Sequence, residues 1–155
     1  KHDVLAAREF ISGKTVLELG TGSGLTAIAA MKAGAISVLA ADIDRMALAS
    51  ARLNAAANDV AIATTEEDLL LDLPASFGAV LVGDLFYERE LAERVLAFIA
   101  AAHAKGARVL VGDPQRSYFP KNRFALLAEY EVPVTRELED ALVKKTAVWA
   151  LKQKD

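Results

Sequence analysis

The stretch Thr15-Val-Leu-Glu-Leu-Gly-Thr-Gly-Ser-Gly24 limits what this chain can fold into more than any other. An apolar strand runs into three glycines, and a helical pattern follows from Leu25. A second apolar strand, Ser37–Ala41, ends in Asp42-Ile43-Asp44. Glycines at 20, 22 and 24 have no Cβ, so the backbone can turn tightly and approach a ligand closely. The helix directs its positive N-terminal end at that ligand. Asp42, at the tip of the second strand, is placed to accept hydrogen bonds from a ribose diol. A parallel α/β sheet with a nucleoside-bearing ligand is the expectation.

The spacing narrows the ligand. A dinucleotide fingerprint reads G-x-G-x-x-G, and its third glycine falls on Leu25 here. This chain has G-x-G-x-G instead, with Glu18 two residues before the first glycine. A carboxylate there is a poor neighbour for a pyrophosphate, because two anions would share one small site. It suits a ligand with a positive end. An NAD-type ligand, or glycines present for packing alone, are the competing readings.

At 155 residues the chain is expected to form one domain over 1–155, with 54% hydrophobic and 25% charged residues marking it as globular. A net charge of −3 and a pI near 5.5, with scattered Lys and Arg, argue against nucleic acid as a partner. No apolar run is long enough to span a membrane, and no signal-peptide pattern precedes the first strand. With no cysteine there is no disulfide or thiolate metal site, and His2 and His103 are isolated. No serine sits in a G-x-S-x-G elbow.

Helix and strand signals alternate, as in a mainly parallel sheet. Expected elements are a short helix over 4–10, a strand over 15–19, a helix over 25–32 stopped by Gly34, and a strand over 37–41. A helix over 47–58 follows, with Asp44 as N-cap. Then come a weak strand near 60–64, a central strand over 79–83, a helix over 88–104, and a strand over 107–111. The run 121–130 has a helical composition, and 131–138 with 146–151 reads as a closing antiparallel hairpin.

Candidate site residues gather at the carboxyl ends of these strands, where ligands of such sheets sit. Glu18, Gly20, Thr21, Gly22 and Gly24 follow the first strand. Asp42 would take the ribose and Ile43 would wall the adenine. Asp68 would accept from the adenine amino group or cap a turn. Gly83-Asp-Leu-Phe-Tyr87 brings a carboxylate and an aromatic ring to one pocket edge, unless Asp84 caps the next helix and Phe86 and Tyr87 pack in the core. The loop 112–120 shapes substrate access, with Arg116 meeting an acidic protein surface, or is a solvated connection.

Glu18-Leu-Gly-Thr-Gly-Ser-Gly24 resembles motif I of the class I S-adenosylmethionine (SAM) methyltransferases, whose ligand carries an ammonium and a sulfonium. Asp84-x-x-Tyr87 resembles the acid-x-x-aromatic motif of the lysine methyltransferases grouped as methyltransferase family 16. The strings Gly83–Ala92 and Arg108–Pro114, then Arg116, Pro120 and Thr146–Trp149, look like the branch acting on the β subunit of electron transfer flavoprotein. That branch usually has glycine at the position of Gln115, an acid at that of Gly78, and a Trp- and Gly-containing segment before the first strand that this sequence is read as lacking.

The resemblance implies a Rossmann-like seven-stranded SAM-methyltransferase sheet, mainly parallel with an antiparallel C-terminal hairpin. It implies SAM as cofactor and a protein lysine as acceptor, in a bacterial cytoplasm or mitochondrial matrix. Asp84 would orient the incoming ammonium, and Tyr87 would line its channel, with a cation–π contact from Tyr87 or Phe86. A ribosomal protein, a small-molecule amine, or a non-catalytic binding domain are the alternatives.

Overall fold

A computed structural model describes residues 8–133 and 143–152. In chain order the elements are α1 (Arg8–Ile11), β1 (Thr15–Leu19), α2 (Leu25–Lys32), β2 (Ser37–Ala41), α3 (Arg45–Ala57) and β3 (Ala63–Thr65). There follow a 3-10 turn (Leu69–Leu71), β4 (Ala79–Val82), α4 (Arg89–Ala104) and β5 (Arg108–Asp113). A second 3-10 turn (Lys121–Arg123) leads into β6 (Phe124–Pro133), and β7 is Val143–Leu151.

The strands form one seven-stranded sheet in the order β3-β2-β1-β4-β5-β7-β6. The first five are parallel, and β7 is antiparallel to both β5 and β6. The chain leaves β1 towards β2 and β3, then crosses back to β4 on the other flank. That reversal opens a crevice beyond the ends of β1 and β4. The expected fold is the observed one.

Alternation along the strands splits the core in two. Leu17, Leu19, Val80, Val82, Val109 and Val111 face α4, whose apolar stripe of Ala92, Val95, Phe98, Ile99 and Ala102 repeats every three or four residues. Val16, Val38, Ala40, Ala79, Leu81 and Leu110 face Ile11 and the small residues of α2. Each fully buried Val, Ile or Phe contributes about 1.5–3 kcal/mol. Small residues bring α2 and α3 close. A Cβ at Gly24, where φ is +79°, would lie 2.8 Å from the Cβ of Ala51.

β1, α2 and β2 have the expected limits, and Asp44 caps α3 by accepting from the Met46 amide at 2.8 Å. The early helix begins at Arg8, and residues 4–7 lie outside the described part. The weak third strand sits at Ala63–Thr65 rather than 60–64. The helix expected over 121–130 is overturned: only Lys121–Arg123 coil into a 3-10 turn, and Phe124 begins a ten-residue strand. Its Ala, Leu and Glu favour a helix in isolation, but pairing with β7 overrides that preference. A register shift between Leu126 and Ala128 also breaks the alternation that would mark a strand. The hairpin therefore starts earlier than expected, and 134–138 fall outside the described residues.

Candidate active site

The loop after β1 is fixed to the end of β2 by backbone and side chain together. Gly20 and Thr21 both donate their amides to the Ala41 carbonyl, at 2.9 and 3.0 Å. Asp42 accepts the Gly22 amide on Oδ2 at 2.9 Å and the Asp44 amide on Oδ1 at 3.0 Å. Each oxygen still has a lone pair, so Asp42 can organise both loops and accept from a ligand. At Gly22, with φ +53°, a Cβ would meet nothing within 4 Å. Open space lies against the backbone there.

Glu18 points to the α2 side of the sheet and is buried beneath this loop. Its Oε2 accepts the Thr21 hydroxyl at 2.5 Å. Burial pushes its pKa up to about 7, against the bonds from Thr21, the Ala27 amide and Thr26, while the Asp42 charge pushes it further. The structure thus places Glu18 under the loop, bonded to Thr21.

A cleft of about 320 Å³ opens at the crevice between β1 and β4. Leu19, Gly20 and Ala41 form its floor, and Asp42, Ile43 and Glu67 one side. Ile43 is 76% exposed, an apolar side chain between Asp42 and Glu67 on that side of the cleft. Asp68 also lines the cleft, and its carboxylate is already held. Oδ1 caps the 3-10 turn through the Leu70 amide at 3.1 Å, and Oδ2 accepts Arg94 Nη2 at 2.6 Å. The structure shows the capping role of Asp68, and each of its oxygens keeps a further lone pair.

Asp84, Leu85 and Tyr87 close the opposite side of the cleft. Gly83 follows β4, and its carbonyl accepts the Leu85 amide at 2.9 Å. Asp84 does not cap α4, whose N-cap is Glu88. It forms a two-pronged ion pair with Arg116, Nε to Oδ1 at 2.7 Å and Nη2 to Oδ2 at 2.5 Å. Arg116 is thereby held at the cleft's rim, with its side chain still partly exposed. Tyr87 is half-exposed at the cleft, whereas Phe86 is fully buried and packs edge-on against Phe119 at 5.1 Å. Phe86 is core and offers no face to a cation.

Leu69, Leu70, Leu91 and Arg94 also line the cleft and were not singled out from the sequence. Leu91 and Arg94 share one face of α4 at i, i+3, a spacing equally compatible with ordinary packing. Among the described residues, no group of three or more His, Cys, Asp or Glu is arranged to hold a metal ion.

A family model for Ribosomal protein L11 methyltransferase (PrmA) matches residues 6–108, which carry β1 through α4 and most of the cleft. The chain belongs to the ribosomal protein L11 methyltransferase family. It is 33% identical over 147 residues to the electron transfer flavoprotein beta subunit lysine methyltransferase of Rattus norvegicus. The match covers 91% of this chain and 58% of that relative, so the chain spans under two thirds of its length. The crystal structure of ribosomal protein L11 methylase from Lactobacillus delbrueckii subsp. bulgaricus is similar at TM-score 0.65 and 26% identity. That match covers 99% of this chain and 76% of that one. Magnesium protoporphyrin IX methyltransferase from Synechocystis PCC 6803, solved with bound SAM, shares the fold at TM-score 0.64 and 17% identity, over 97% of this chain and 76% of that one.

Proposed function

We propose that this chain binds SAM in the cleft between β1 and β4 and methylates a lysine side chain of a protein, with electron transfer flavoprotein β subunit as the acceptor. The observation that carries this reading is the cleft itself. It has a ribose-type acid on one side and Asp84 with Tyr87 on the other, the two sides joined by a glycine loop.

The residues present fit SAM. Asp42 has lone pairs for the ribose hydroxyls, Ile43 is an exposed apolar wall for adenine, and Gly22 leaves room at the loop. Glu18, buried and set near the Asp42 charge, gains from a cationic ligand nearby. SAM supplies a methyl group: the amine lone pair forms the new N–C bond as the S–C bond breaks, its electrons pass to sulfur, and the amine proton leaves to solvent.

The chain's own task is to hold a neutral amine in line with that bond, at roughly 3–3.5 Å. A free lysine is neutral in only about one molecule per thousand at pH 7.4. Asp84 orients the incoming amine from the rim. The half-exposed Tyr87 presents its ring along the approach, which contributes about 0.5–1 kcal/mol to capturing a cation.

Identity spread over nine tenths of the chain favours electron transfer flavoprotein β subunit. Ribosomal protein L11 is the second reading, favoured by the family match and by the similar L11 methylase. A bacterial cytoplasm or mitochondrial matrix is the compartment consistent with either. Calorimetric titration with S-adenosylhomocysteine and, separately, NAD tests the cofactor. Selective binding of S-adenosylhomocysteine is expected, and selective binding of NAD would overturn the reading.

A further inference from the structure

We propose that Arg116 is a positioning residue for the acceptor amine: it holds the Asp84 carboxylate at the cleft's rim and offsets its charge, so that the amine meets a compensated ion pair. The inference rests on the lysine-methylation reading above and extends it to a residue that reading does not use.

The pair is built from both sides. Asp84 follows β4 and Arg116 follows β5, and these neighbouring parallel strands deliver an acid and a base to one rim. Two parallel bonds, from Nε and from Nη2, match the guanidinium fork to the carboxylate, a fit that a lysine ammonium cannot reproduce. Behind Arg116, the fully buried Asp113 accepts the Arg116 amide on Oδ2 at 2.9 Å. Gln115, in the left-handed region at φ +68°, reverses the chain between them. Beyond it, the Phe119 amide donates to the Arg116 carbonyl at 3.2 Å. The Phe119 ring packs against Phe86, two residues past Asp84. Acid and base are thus anchored on the same buried aromatic contact, and the turn aims Arg116 at Asp84.

The chemistry gives the pair a purpose. An uncompensated carboxylate draws in an ammonium and holds it in the charged form, which has no lone pair to attack with. A guanidinium on that carboxylate weakens this hold while leaving oxygen lone pairs to orient the amine. Among the described residues, the charged or titratable groups near the pair include Asp113 behind it and Tyr87, Asp42, Glu67, Asp68 and Arg94 around the cleft. Asp68 and Arg94 already neutralise each other, at 2.6 Å. Among the described residues, Arg116 is the cation set directly on Asp84.

The test compares the chain with Arg116→Gln and Arg116→Lys. The acceptor is whichever of electron transfer flavoprotein β subunit and ribosomal protein L11 the unaltered chain methylates. Rates are followed over roughly pH 6.5–9.5, with S-adenosylhomocysteine affinity measured alongside. R116Q is expected to lower KM for the acceptor several-fold and kcat near pH 7 by about tenfold, as the midpoint of kcat moves up by about one pH unit. Affinity for S-adenosylhomocysteine stays within about twofold, and R116K recovers part of the shift. An unmoved midpoint in R116Q overturns the inference alone. So does a loss of kcat that is uniform across pH and accompanied by lost S-adenosylhomocysteine binding. An unaltered chain that binds S-adenosylhomocysteine yet methylates neither protein overturns both the inference and the reading beneath it.

Discussion

Glu18 carries a carboxylate beneath the glycine loop, where burial lifts its pKa from the ordinary 4.5 to about 7. The folded chain therefore holds this proton more tightly than the unfolded chain. Its contribution is fully present below about pH 4.5 and is lost as pH rises through about 7. The loss is on the order of 3 kcal/mol. Glu18→Gln keeps an acceptor for the Thr21 hydroxyl and removes the titration. Urea unfolding at roughly pH 5 and pH 8 should show the unaltered chain weakening more than E18Q, and parallel changes would refute this. On the cleft's rim, Asp84→Ala is expected to keep S-adenosylhomocysteine affinity while lowering methyl transfer about a hundredfold. Equal rates for variant and parent would remove Asp84 from the mechanism.

Among the elements, the loop from β1 into α2 shows how two glycines of one motif can do different work. Gly24 faces Ala51 of α3, and a Cβ there meets backbone as well as side chain. Gly24→Ala should cost more than about 2 kcal/mol in thermal or urea unfolding. Gly22 faces open space, so Gly22→Ala pays only for its left-handed backbone, about 1 kcal/mol. It should, however, weaken S-adenosylhomocysteine binding at least tenfold, since the added methyl enters the proposed cofactor space; unchanged affinity would place the cofactor elsewhere. In the Arg116 loop, Gln115→Gly should raise stability by about 1 kcal/mol by relieving the positive φ. These elements differ in how far the sequence reveals them. β1, α2 and β2 were legible to the residue because glycines, an acid tip and a C-terminal glycine mark every boundary locally. β6 was not, because its composition favours helix, its alternation is broken near Leu127, and the strand it pairs with, β7, lies beyond residues 134–142 in the chain. The Asp84–Arg116 pair was hidden for a related reason. Its members stand 32 residues apart and meet only because β4 and β5 are neighbours.

At the scale of the whole molecule, the order β3-β2-β1-β4-β5-β7-β6 brings every candidate residue to one side. The loops after β1, β2, β3 and β4 line a single cleft, and the loop after β5 reaches it through Arg116. The opposite ends of the parallel strands carry no candidate residue. Fold and cofactor class follow from that arrangement together with family membership, whereas the acceptor depends on a surface that an outside protein must fit. The most direct test of lysine methylation is to incubate the chain with SAM and electron transfer flavoprotein β subunit, with ribosomal protein L11 in parallel, and read both by mass spectrometry. The account predicts mass increments of whole methyl groups on lysine side chains of the flavoprotein subunit, abolished by Asp84→Ala. Methylation of ribosomal protein L11 alone would move the assignment to the second reading, and no methylation of either protein would contradict the central claim.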